Sequence, residues 1–255
     1  MKTLAIANHK GGTGKTTTAA NLGAILAENG KRVLLIDIDP QASLTGATGT
    51  KDAEDISLAE VMGGTQPGKR LLSDVIQPVS ENLDICPSDI ALATVEMALS
   101  TRMGREMVLK KVLASVKSRY DIVIIDCPPA VGLLTANGLI AADGVLIPCQ
   151  PSVLDLRGVK LLLQSLEIIR EDLNPTLELL GILITFYDQR ITHHREAVEA
   201  IRQGGIPILP VMIGRSVRVA EAAGAGIPIN IYEPSNPQAQ AYRDLAVYIE
   251  DWLKK

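Results

Sequence analysis

Short apolar runs alternate with longer stretches of helical periodicity along the whole of this chain. Runs such as Leu4–Ala7, Val33–Ile36 and Ile122–Ile125 carry no polar-in, polar-out alternation, so they fit strands buried on both faces. Between them the apolar residues return once per helical turn, as a helix with one buried face requires. The pattern predicts strands near 3–7, 32–37, 83–86, 121–126, 144–149, 179–185 and 207–211. It places helices near 15–29, 56–62, 95–118, 132–142, 155–172, 193–203, 216–223 and 237–253. Such alternation is the signature of βαβ units. The expected fold class is therefore α/β, a mostly parallel twisted sheet with helices on both faces, in one domain over residues 1–255. Residues 45–70 are rich in Gly, Thr, Asp and Lys and read as a mobile excursion, with no domain boundary.

Composition narrows the picture. With 255 residues and 47% hydrophobic content the chain can bury a large core, and with 3% aromatics that core is built from Ala, Leu, Ile and Val. The three cysteines, Cys86, Cys127 and Cys149, are widely spaced and odd in number. They offer neither a disulfide framework nor a C-x-x-C metal site, and a reducing, cytoplasmic setting fits them. A formal charge of −4 exerts no global pull on nucleic acid, so DNA binding has to come from a local patch. No apolar run approaches a membrane span, and residues 1–20 carry a glycine-rich loop where a signal peptide would stand. No DNA-reading segment precedes that loop, so control through a specific operator is not expected.

That loop is the first chemical signal. The strand at 3–7 leads into Lys10-Gly11-Gly12-Thr13-Gly14-Lys15-Thr16-Thr17 and then an Ala/Leu-rich helix. Glycines between a strand and a helix N-terminus let successive N–H groups point at an anion. Lys15 is placed to reach phosphate oxygens, and the Thr16 hydroxyl to ligate Mg²⁺. The common pattern G-x-x-x-x-G-K-[ST] has glycine where this chain has His9, so the loop is a variant with a second lysine near its start.

Two further strands end in carboxylates. Val33–Ile36 runs into Asp37-Ile38-Asp39-Pro40-Gln41, at the sheet edge where ligands bind in open α/β folds. Asp39 suits an attacking water and the metal, and Asp37 the support of the metal shell; an ordinary Asp/Pro turn is the alternative. Ile122–Ile125 ends in Asp126-Cys127-Pro128-Pro129, where Asp126 reads as a Mg²⁺ carboxylate acting through water. Cys127 reads as a packing residue, and the proline pair with Gly132 and the helix to Ala142 as a stiff segment able to sense a γ-phosphate. His193 and His194, adjacent in sequence, do not share a helix face and make no metal site.

With these three motifs in this order, the chain resembles the ParA/Soj branch of the deviant-Walker P-loop ATPases. The similarity continues in Gly181–Thr185, Arg215–Ala222 and Ala241–Ala246, and so covers nearly the whole length. The resemblance implies a single-domain P-loop NTPase that uses ATP and Mg²⁺ and forms a homodimer when ATP-bound. Lys10 would cross to the partner's nucleotide while Lys15 acts in cis, and Asp39 would be the catalytic carboxylate. It implies slow, partner-stimulated hydrolysis, a ParB-like adaptor, and non-specific DNA binding with a nucleoid-associated location. Arg190 and Arg218, with Arg215 close by, fall where such arginines lie; solvated, ion-paired helix faces are the alternative. Pro207 to Pro210 and the following Val211-Met212-Ile213 are candidates to border the base, as such late loops do in this family, though edge-strand packing accounts for them equally well. The last helix carries Tyr242, Leu245, Ala246, Ile249 and Leu253 at helical spacing. This is either a core stripe or a membrane-surface helix of the MinD kind, and its mixed polar face argues against lipid. A protein compartment is the alternative cargo to a plasmid or chromosome.

Overall fold

The computed structural model describes residues 1–50, 56–63, 70–130 and 132–255, with backbone alone over 153–157. The chain runs β1 (Lys2–Ile6), α1 (Lys15–Glu28), β2 (Val33–Asp37), α2 (Ser43–Ala47), α3 (Leu58–Gly63), β3 (Gln77–Ser80) and β4 (Leu83–Cys86). It continues α4 (Ala91–Leu99), α5 (Val108–Leu113), β5 (Ile122–Asp126), α6 (Leu133–Ala141), β6 (Gly144–Cys149) and α7 (Val153–Asp172). The remainder is β7 (Glu178–Tyr187), α8 (Thr192–Gln203), β8 (Ile208–Gly214), α9 (Val217–Gly224), α10 (Ile229–Tyr232) and α11 (Pro237–Leu253).

The strands form one eight-stranded sheet in the order β3-β4-β2-β5-β1-β6-β7-β8. Every neighbouring pair is parallel except β3 and β4. This is the α/β architecture with helices on both faces that the strand runs imply. Alternate side chains of each strand go to opposite faces. Ala5, Ile36, Val123, Ile125 and Ile147 pack with α3 to α8, whereas Leu4, Ile6, Leu35, Ile124 and Leu146 pack with α1 and α11. On α11, Tyr242, Leu245, Ala246, Ile249 and Trp252 are buried in that second layer. The stripe is core.

Three differences from the sequence pattern have local causes. The helix at 95–118 is broken: α4 and α5 are separated by a turn in which Ser100 Oγ donates to the Met97 carbonyl (2.6 Å) and Gly104 takes a left-handed φ of 67°. Serine bonding its own backbone and a glycine in that region both end a helix. The strand β3, absent from the predicted strands, is an antiparallel edge strand, where the N–H that Pro78 lacks is not missed. The stretch 45–70 is not simply an excursion, since Leu58, Val61 and Met62 are buried; residues 51–55 and 64–69 lie outside the described residues.

Candidate phosphate-binding site

All the candidate carboxylates and the glycine loop meet at the carboxyl ends of the central strands. β1 pairs with β5 so that Ile6 stands opposite Asp126, and β2 pairs with β5 so that Asp37 stands opposite Asp126. The loop leaving β1 turns into α1 through Gly12 (φ 75°) and Gly14 (φ 88°). Both need left-handed backbone, which a side chain would resist. Gly14 caps α1 with no side-chain acceptor, so the first N–H groups of the helix remain for an anion.

Three polar side chains tie the loop to β6 and β7. Asn8, buried, donates to the Pro148 carbonyl (2.6 Å) and accepts from the Lys10 N–H (3.2 Å). Gln150 donates to the Gly12 carbonyl (2.7 Å). Thr185 donates to the Thr13 carbonyl (2.9 Å), with both residues buried. Sequence reading assigned none of the three a role, though Thr185 closes the motif Gly181–Thr185. Their signal was weak: a polar residue just past the end of a buried apolar run, whose partner is a distant backbone group.

Lys15 is buried and donates to the Lys10 carbonyl (3.2 Å). Burial lowers its pKa, with the Asp126 carboxylate opposing. The Thr16 hydroxyl donates to Asp126 Oδ2 at 2.6 Å. Asp126 is itself buried, and its Oδ1 has no hydrogen-bond partner. Desolvation and the negative charge of Asp37 hold its carboxyl well above the ordinary range, opposed by the Thr16 hydroxyl and Lys15. A buried carboxylate oxygen without a donor, beside a hydroxyl and at a phosphate loop, is the donor set that a hydrated dication fits. A cation there also reverses the pKa shift.

Asp37 has a different task from the metal support first expected. Its Oδ2 accepts from the Thr45 N–H and hydroxyl (both 2.8 Å) and its Oδ1 from the Asp39 N–H (3.1 Å). With both oxygens engaged it shapes the turn that presents Asp39. Burial raises its pKa to about 6, partly offset by the Thr45 bonds. Asp39 is half-buried and accepts from the Gln41 N–H (2.9 Å); its charge is felt by Lys15, Asp37 and Asp126.

A small cavity of about 110 Å³ adjoins the loop, lined by Gly14, Thr17, Phe186, Ile213, Gly214 and Ser216 among others. Pro210 is exposed further back in β8 and does not line it. Ile213, at the end of the same candidate run, does line it, together with residues from the ends of β7 and β8. Phe186 has a left-handed φ of 52°, costing roughly 1–3 kcal/mol for a non-glycine residue. A larger cavity beside Gly12 brings together Gln150, Phe186, Asp188, His194 and Arg215. Arg190 pairs with Asp188 (3.1 Å), and Arg218 with Glu221 (2.8 Å) and Glu233 (3.8 Å), all on exposed surface. All three cysteines are buried and unbridged.

Comparison with known proteins decides the family. A family profile described as an AAA domain matches residues 1–179. The chain is 40% identical over 247 residues to the sporulation initiation inhibitor protein Soj of Bacillus subtilis, spanning 96% of each chain. The chain belongs to the ParA/MinD family of P-loop ATPases. Two solved structures agree with that placement. Cobyrinic acid a,c-diamide synthase from Mycobacterium smegmatis, with bound ATP analogue and magnesium, superposes with a TM-score of 0.88 at 38% identity, covering 99% of this chain and 95% of that one. The septum site-determining protein MinD of Pyrococcus horikoshii, complexed with Mg-ADP, gives 0.79 at 26% identity, covering 98% and 96%. Among the described residues of this ParA/MinD-family chain, no helix is long and apolar enough to cross a membrane.

Proposed function

We propose that this chain is an ATPase that binds Mg·ATP and dimerises on it. As a dimer it grips DNA without reading sequence, and it lets go after hydrolysis stimulated by a ParB-like adaptor, so positioning a plasmid or chromosome. The observation that carries the reading is the Lys15–Thr16–Asp126 cluster with its unpartnered Asp126 oxygen, in a chain akin to Soj over nearly its whole length.

Each residue then has a physical role. The loop N–H groups at 11–17 and the Lys15 ammonium bind the phosphates. Thr16 and Asp126, the latter through water, hold Mg²⁺, which when bound neutralises phosphate charge. Asp39 orients the attacking water and faces the metal shell. Lys10 serves the partner's nucleotide, which makes dimerisation depend on ATP because one loop leaves phosphate charge uncompensated. The base lies against the ends of β7 and β8. Arg190, Arg215 and Arg218 meet DNA phosphates, Arg190 and Arg218 by exchanging surface carboxylate partners for them, an exchange favoured because such surface pairs contribute little. The location is cytoplasmic and nucleoid-associated.

A membrane-surface role like that suggested by MinD is disfavoured because the apolar stripe of α11 is buried against the sheet. Amide synthesis, suggested by the name of the mycobacterial protein, would call for a reactive thiolate to release ammonia from glutamine; it is disfavoured because all three cysteines are buried, and burial pushes the Cys86 and Cys127 thiols up.

Nucleotide binding, sedimentation and phosphate release of two variants test the assignment. Lys15→Ala should bind no fluorescent ATP analogue and stay monomeric. Asp39→Ala should bind ATP and dimerise without turnover. Normal hydrolysis by Asp39→Ala, or normal binding by Lys15→Ala, would overturn the role given to that residue.

A further inference from the structure

The helix α6 begins six residues after Cys127, and among the described residues no side chain at its own N-terminus caps it. Its N-cap residue is Gly132, in extended backbone and without a side chain. The acceptor comes from another helix: Glu96, on α4, receives the Leu134 N–H on Oε1 at 3.2 Å. The first turn of a helix leaves its N–H groups unpaired and carries partial positive charge, so a carboxylate there satisfies both. The fit is close. A Cβ on residue 132 would stand 2.6 Å from the same Oε1, so glycine at 132 is what admits the Glu96 carboxylate.

The same helix is tied to the strand end that bears Asp126. Thr135 Oγ1 donates to the Ala130 carbonyl (2.5 Å), tying the residue after the proline pair to the first turn of α6. One turn further on, a Cβ at Gly138 would meet Cys127 Sγ at 2.8 Å, so α6 lies directly on the residue after Asp126. On its other side Asn137 accepts from the Leu109 N–H (3.1 Å) and donates to the Arg105 carbonyl (2.8 Å). Thus α6 is braced against α4 and α5 at one side and against the Asp126 strand at the other. Stiff prolines at 128 and 129 pass displacement of one end to the other.

From this geometry we infer that Glu96 is a positioning residue for ATP hydrolysis: by capping α6 it fixes the backbone that carries Asp126 and the proline pair beneath the phosphates. The inference rests on reading the chain as an ATPase. Glu96 touches none of the reacting groups and is only half-buried, so a bare Leu134 N–H can be solvated and the fold should withstand its loss. The effect belongs in turnover, where small misplacements of catalytic groups are costly.

The test compares Glu96→Ala, Glu96→Gln and Gly132→Ala for kcat, KM and Tm. Glu96→Ala should lower kcat about tenfold with KM and Tm little changed. Glu96→Gln, whose amide oxygen still accepts the N–H, should restore most of kcat. Gly132→Ala should match Glu96→Ala, since its methyl group drives the carboxylate away, and it carries the test if Glu96→Ala folds poorly. Hydrolysis by the unsubstituted protein together with unchanged kcat in Glu96→Ala and Gly132→Ala would overturn the role of Glu96 and leave the ATPase reading standing. Equal loss in Glu96→Gln and Glu96→Ala would overturn it too, because glutamine keeps the acceptor. No hydrolysis by the unsubstituted protein would overturn the ATPase reading, and this role with it.

Discussion

Thr185→Val isolates one strut of the phosphate loop. The two side chains have nearly the same shape, so the change deletes a hydroxyl donor and leaves the packing in place. The lost bond runs from Thr185 Oγ1 to the Thr13 carbonyl at 2.9 Å, between residues only 2% and 0% exposed. The carbonyl then remains buried with its donor removed, which costs about 1–3 kcal/mol. Taking about 2 kcal/mol, a chain of this length should melt roughly 4–8 °C lower. If about half of the loss reappears as loop order that nucleotide must restore, affinity should fall about fivefold. Thermal unfolding without nucleotide and titration of a fluorescent ATP analogue measure the two parts. Thr185→Ser is the control: it keeps the donor and gives up one methyl, worth about 0.8 kcal/mol. Valine and serine variants of equal stability and equal affinity would refute the idea that this hydroxyl anchors the loop.

Two further outcomes follow from the packing and the turns. Leu245→Ala, at a fully buried position in α11, should destabilise by about 2–5 kcal/mol in urea unfolding; a loss under 1 kcal/mol would mean that α11 is not part of the core. Gly14→Ala should cost about 1–2 kcal/mol from its left-handed φ of 88° and weaken nucleotide binding, checked by calorimetry, whereas the same change at exposed Gly11, outside the left-handed region, should affect stability far less.

The fold was legible because β1, β2, β5 and β6 are buried on both faces and so read as unbroken apolar runs. The cluster of Lys15, Thr16, Asp39 and Asp126 was legible for a related reason: strand ends and a glycine turn mark one edge of a parallel sheet. What escaped depends on partners far away in sequence. Thr185 matters through Thr13, Gln150 through Gly12 and Glu96 through Leu134, pairings that no local pattern encodes. Asp37 escaped in the opposite sense, since alternation put it on the side of Asp39 but could not show that Thr45 would engage one of its oxygens and the Asp39 N–H the other. The helix at 95–118 failed because Ser100 and Gly104 outweigh the apolar spacing around them.

Binding to a non-specific DNA duplex, at two salt concentrations, tests the central claim most directly. The states to compare are no nucleotide, ADP, ATP, and ATP with Arg218→Ala. The account predicts binding with ATP alone, weakened by salt because phosphate contacts release counterions, and weakened again by the substitution. Binding that ignores nucleotide, or no binding in any state, would contradict it.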